Sequence, residues 1–115
     1  MLKIKNTTVL NSMIAFPAHP LLVKLLEWVC VRYSEVVFTG GYELRSRPSV
    51  HSVIPYRGMD IRSRVYADPQ AVADDINLNW EYDPTRPDMK CAIFHDVGRG
   101  EHIHLQVNAN TVRRV

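Results

Sequence analysis

Two apolar runs, Lys90-Cys91-Ala92-Ile93-Phe94-His95 and His102-Ile103-His104-Leu105-Gln106-Val107, are separated by a short segment built on Gly98-Arg99-Gly100. Parallel strands need a crossover of a dozen or more residues, whereas antiparallel strands close through a tight turn. These two runs must therefore pair as an antiparallel hairpin. Helical and strand patterns interleave upstream of it, so the expected fold class is α+β, with a small antiparallel sheet flanked by helices, rather than a doubly wound sheet.

The remaining elements follow from periodicity and punctuation. Leu21, Leu22, Leu25, Leu26, Val29 and Cys30 recur at helical spacing, predicting an amphipathic helix from Pro20 to about Tyr33 that covers one face of the sheet. His19 is expected to cap it. Residues 1–16 are weakly patterned and read as an extended lead-in. Glu35 to Thr39 is a strand stopped by Gly40-Gly41, and Tyr42 to Pro48 is a polar loop rich in arginine. Ser49-Val50-His51 reads as a strand entry, Ile54 to Gly58 as a turn, and Met59 to Arg62 as a strand with Asp60 and Arg62 on one side. Asp68-Pro69 opens a second helix, with Asp at the cap and Pro at the first helical position. Val72, Ile76 and Asn79-Trp80 supply its apolar side. Glu81 to Pro87 is a turn-rich connection, and the last eight residues read as a polar tail.

The 115 residues support one domain, 1–115, without repeats or linkers. Composition excludes several classes of protein. Net charge is +2 and the arginines are spread along the chain, whereas nucleic-acid binding needs a concentrated basic face. No apolar run approaches the roughly 18 residues of a membrane span. The first residues lack the features of a secretion signal, so synthesis in the cytoplasm is expected. Cys30 and Cys91 sit within apolar runs and read as reduced core residues, as do Trp28 and Trp80 for packing.

Three of the five histidines carry the chemistry. Strand alternation sends His102 and His104 to the same face, with Ile103 opposite. His51 and Asp60 lie on either side of a turn and can converge there. An aspartate among apolar neighbours is costly to bury unpaired, and a cation resolves that cost. His51, Asp60 and His104 thus form a His/Asp/His donor set, and three ligands leave a fourth position open for water, as in catalytic zinc sites. Glu101 is a candidate general base. Three residues before His104 it faces the other way on a regular strand, but it follows the glycine turn and can swing over the site from there. His95 reads as a strand-end residue or an outer partner of the site.

Ser49-x-His51, the later Asp60 and the closing Glu101-x-x-His104 resemble the zinc D-Ala-D-Ala peptidases and the phage L-alanyl-D-glutamate endopeptidases. His102-Ile103-His104 is also similar to the His-x-His of the wider group containing lysostaphin-type peptidases and the hedgehog signalling domain. Val36-Val37-Phe38-Thr39-Gly40-Gly41-Tyr42 looks like the strand and turn that precede the first ligand, so the resemblance spans roughly residues 35 to 107.

The resemblance implies a hedgehog/DD-peptidase-like fold and Zn2+ held by His51, Asp60 and His104. It makes Glu101 the base and then acid, and places His102 where related peptidases keep a second catalytic histidine. Arg45, or failing that Arg47, would stabilise the oxyanion. The implied substrate is a peptidoglycan stem peptide, cut by a monomeric phage endolysin or virion-associated enzyme with no nucleic-acid or membrane partner. Several features depart from the family pattern: the glycine after the first His is missing from its expected place, and the arginine is displaced from directly after Tyr42. The His-to-Asp gap is two residues longer, which an insertion at Ile54-Pro55 accounts for, and Gly58 stands for the usual alanine. A non-catalytic metal-binding phage module of the same fold is the alternative.

Overall fold

The computed structural model of the chain describes residues 1–42, 49–96, 98 and 100–114. Its main sheet is assembled from β1 (Leu2–Ile4), β2 (Val36–Gly40), β3 (Gly58–Arg62), β5 (Ala92–Asp96) and β6 (Glu101–Gln106), in the order β1-β2-β3-β6-β5. Three helices are described: α1 (Thr7–Ala15), α2 (Pro20–Arg32) and α3 (Pro69–Asn79). The fold is α+β, as the hairpin requires, and β5 and β6 do pair antiparallel. The sheet is nonetheless mixed, because β1 pairs parallel to β2. The long connection through α1 and α2 supplies the crossover that a parallel pair needs.

Each helix begins on a side chain that satisfies a free backbone N–H. Asn6 accepts from Val9 N at 3.0 Å, and His19 Nδ1 accepts from Leu21 N at 3.1 Å. Asp68 accepts from Ala71 N at 3.1 Å. Pro20 and Pro69 occupy the first helical positions, where no donor is lost. His19 is therefore a cap, as expected.

Alternation then divides the sheet. Phe38, Met59, Ile61, Ile103 and Leu105 point to one side and are buried against Leu22, Leu25 and Val29 of α2 and Val72, Ala73 and Ile76 of α3. Truncating a fully buried residue such as Ile103 to alanine costs about 2–5 kcal/mol. Asp75 ties the helices together. It accepts both Nε (2.7 Å) and Nη2 (2.8 Å) of Arg32 and a hydrogen bond from the Tyr33 hydroxyl. Burial, with Asp75 alongside, pushes the Tyr33 phenol up to about 12. Cys30 and Cys91 are free thiols, and burial pushes Cys91 up to about 12, which keeps it protonated and inert.

Five expectations are corrected. Residues 1–16 form β1 and α1 rather than an extended lead-in. Within α1 only Val9 is buried, with Met13 packed partly against the core, while Leu10 and Ile14 face outward, so its apolar residues do not mark a single buried stripe. Trp80 leaves the helix and starts β4 (Trp80–Glu81), which pairs with β7 (Val112–Arg113) in the segment expected to be a polar tail. That segment is held by polar contacts, which hydropathy does not reveal. Asp83 accepts from the amides of Asn108 (3.1 Å) and Asn110 (3.2 Å), and Thr111 donates to the Tyr82 carbonyl at 2.8 Å. Ser49-Val50-His51 is a turn rather than a strand entry, closed by Ser52 N donating to the Ser49 carbonyl at 3.1 Å. Finally, the sheet is mixed where an antiparallel one was expected.

Candidate metal centre

The face of the sheet turned away from the core carries Asp60 and Arg62 on β3 and His102, His104 and Gln106 on β6. Antiparallel register sets Asp60 opposite His104 and Arg62 opposite His102. His51 arrives from the neighbouring turn, which is docked by Arg57 N donating to the Val50 carbonyl at 2.7 Å. This approach depends on Gly58. A Cβ there would lie 2.4 Å from Val50 Cγ2 and 3.3 Å from His104 Cε1. Only glycine lets the turn come this close to β3.

Three donor atoms converge as a result. His104 Nδ1 lies 2.9 Å from Asp60 Oδ1, His51 Nε2 lies 3.4 Å from the same oxygen, and the two nitrogens are 3.3 Å apart. His51 is 2% exposed, while Asp60 and His104 are partly open to a cleft. The outer nitrogens of both rings are engaged elsewhere. His51 Nδ1 donates to the Gly41 carbonyl at 2.6 Å, since a carbonyl can only accept. His104 Nε2 lies 3.1 Å from Gln106 Oε1, and the Gln106 amide donates to the Lys90 carbonyl at 2.8 Å. That second bond orients the amide so that its oxygen faces the ring and accepts from Nε2. Both imidazoles are thereby held with the remaining nitrogen aimed at Asp60. Burial alone would raise the Asp60 carboxyl, but the adjacent His104 and His51 rings hold it well below the usual carboxylate range. The His51, Asp60 and His104 group could hold a metal ion.

The other expected residues are placed as follows. His102 lies beside the group, its Nε2 3.7 Å from Asp60 Oδ1. His95, opposite it on β5, packs edge-on against His102 at 4.9 Å between ring centroids. Burial and the neighbouring His102 and His104 lower the pKa of His95. Glu101 opens β6 opposite Asp96 as an exposed strand residue and borders the cleft. It belongs to the strand, not to the turn from which it was expected to swing inward. Arg45 and Arg47, the expected oxyanion arginines, lie outside the described residues.

Two contributors escaped the sequence reading. Gly41 acts through its carbonyl, which every residue type carries, and its only signal was the glycine pair after β2. Gln106 was legible in principle, being a buried polar residue two positions after His104 on the same face.

The cleft around the group has a volume of about 1130 Å³, and Lys5, Ser63, Arg62 and Arg64 form part of its wall. No described helix is long and apolar enough to cross a membrane. Comparison with protein-family models, with curated proteins and with solved structures finds no match.

Proposed function

We propose that this chain is a zinc-dependent peptidase of the hedgehog/DD-peptidase type, cutting peptidoglycan stem peptides as a phage lytic or virion-associated enzyme. The observation that carries the reading is the pair of imidazoles whose outer nitrogens are bonded to Gly41 and Gln106, leaving two ring nitrogens and one carboxylate oxygen on a common point. Zinc bonds of about 2.0–2.1 Å set tetrahedrally separate neighbouring donors by about 3.3 Å. The separations of 3.3 and 3.4 Å from His51 to His104 and Asp60 match that spacing, and the 2.9 Å between His104 and Asp60 is about 0.4 Å shorter. A borderline cation prefers such a mixed nitrogen and oxygen set.

Zinc held there supplies Lewis acidity and lowers the pKa of water towards neutrality. His51, Asp60 and His104 would hold the ion and leave one side of it open to the cleft. Glu101, at the cleft edge, would take the proton from the attacking water and hand it to the leaving amine. His102, beside Asp60, would donate to the oxyanion that develops on the scissile carbonyl.

The position of Glu101 in the strand favours a second reading, a non-catalytic metal-binding module of the same fold. On β6 it shares the alternation phase of Ile103 and Leu105, opposite to that of His102 and His104. Elemental analysis of wild type and His104→Ala, followed by incubation of the loaded protein with muropeptides, tests both. One zinc per chain, lost in His104→Ala, together with cleavage that Glu101→Gln abolishes, supports the peptidase. Zinc without cleavage leaves the binding module, and absence of zinc after reconstitution sinks both.

A further inference from the structure

Arg62 stands one residue pair beyond the metal-ligand group on the same sheet face, opposite His102, and is half-buried. Among the described residues its guanidinium has no hydrogen-bond or ion-pair partner. The nearest acid along β3, Asp60, has its carboxylate engaged by His104 and His51. Lys5 and Arg64 line the same cleft and likewise have no partner for their charged groups among the described residues. Set against these three cations, Glu101 is the one further carboxylate among the described residues of the wall. Partial burial strips a guanidinium of water without replacing it, so the site is complementary to an anion.

We infer that this half of the cleft is an anion subsite for a carboxylate of the peptide substrate, with Arg62 as its anchor. The inference rests on the peptidase reading and adds to it the chemistry of the substrate. Asp60 and Arg62 are two positions apart, about 7 Å along β3. An extended peptide advances by a similar distance in two residues, so the acidic residue lies within about two positions of the bond to be cut. A planar guanidinium matches a carboxylate with two parallel hydrogen bonds. Single-stranded nucleic acid is the poorer fit, because stacked bases need aromatic platforms and no Phe, Tyr or Trp is among the described residues lining the cleft.

The test uses the 15N-labelled full chain, as purified and after zinc loading, titrated with glutarate, its uncharged diamide and inorganic phosphate. Arginine Nε–Hε signals and affinities are followed in wild type, Arg62→Gln, Arg64→Gln and Arg62→Lys. Glutarate is expected to shift the Arg62 signal and to bind roughly tenfold more tightly than the diamide. Arg62→Gln should lose that preference and Arg62→Lys should recover part of it, with melting temperatures reporting that each variant is folded. Equal binding of the diamide, or undiminished glutarate binding by Arg62→Gln, overturns the inference. So does phosphate binding that depends on Arg62 while glutarate does not bind. Because the zinc-free arm needs neither metal nor cleavage, failure of the peptidase reading shows up separately. Loaded protein that cleaves acidic and neutral peptides equally well overturns the subsite alone.

Discussion

At Gly58 the backbone of β3 touches the Val50 side chain so closely that a methyl group has no room. Valine is stiff at χ1 and cannot swing aside, so Gly58→Ala must push the turn that carries His51 away from Asp60 and His104. The variant should lose about 1–3 kcal/mol of stability and most of its zinc affinity, read by thermal melts and by titration calorimetry. Unchanged zinc binding would show that the turn is docked by other contacts. Gln106 makes the complementary prediction. Gln106→Leu keeps the strand but frees the His104 ring, and zinc affinity should fall about 10- to 100-fold, the usual cost of losing an outer partner. Asp60 and His104 were legible because donors in strand phase suggest a cation from residue type, and His51 because it sits across a turn from Asp60, although that turn was read as a strand entry. The Gly41 carbonyl was not, because a backbone acceptor leaves no mark in a sequence.

Among the elements, the β4–β7 pair is held by Asp83, buried beneath the C-terminal strand. It accepts from Thr85 N and Oγ1 at 2.9 and 2.8 Å as well as from Asn108 and Asn110. These bonds, the backbone N–H of Thr85 foremost, hold its carboxyl well below the usual carboxylate range. A depressed folded-state pKa means that the ionised form stabilises the fold. That contribution is fully present above the unfolded value of about 3.9 and is lost as pH falls through the folded one. Wild type should therefore melt above Asp83→Asn at neutral pH, and the gap should close as the pH drops below about 4. A gap independent of pH would mean that the contribution is packing rather than charge. The strong periodicities of α2, α3 and the β5–β6 hairpin were readable because burial of apolar side chains shapes them. α1 was missed because its apolar residues are split between the core (Val9, Met13) and solvent (Leu10, Ile14), and β7 because a set of amide contacts holds it.

Across the whole molecule, helices cover one face of the sheet while the other opens as the cleft, so the donor set draws on residues 51, 60 and 104. Zinc that binds only the folded arrangement stabilises it by mass action, by about 2.7 kcal/mol at a free concentration 100 times the Kd. Melting temperature should rise with zinc in wild type and stay flat in His104→Ala; a rise in both would place the binding elsewhere. The α+β class was legible from one turn too short for a crossover. The parallel β1–β2 pairing was not, since it depends on where two helices carry the chain. Trp28 and Trp80 meet edge to face at 6.4 Å on the helical side, and neither is among the described residues lining the cleft. Intrinsic fluorescence is consequently a built-in gauge of how α2 sits against β4, with its emitters placed away from the ligands. Emission should red-shift on denaturation yet change little when zinc is added, separating folding from loading within a single cuvette.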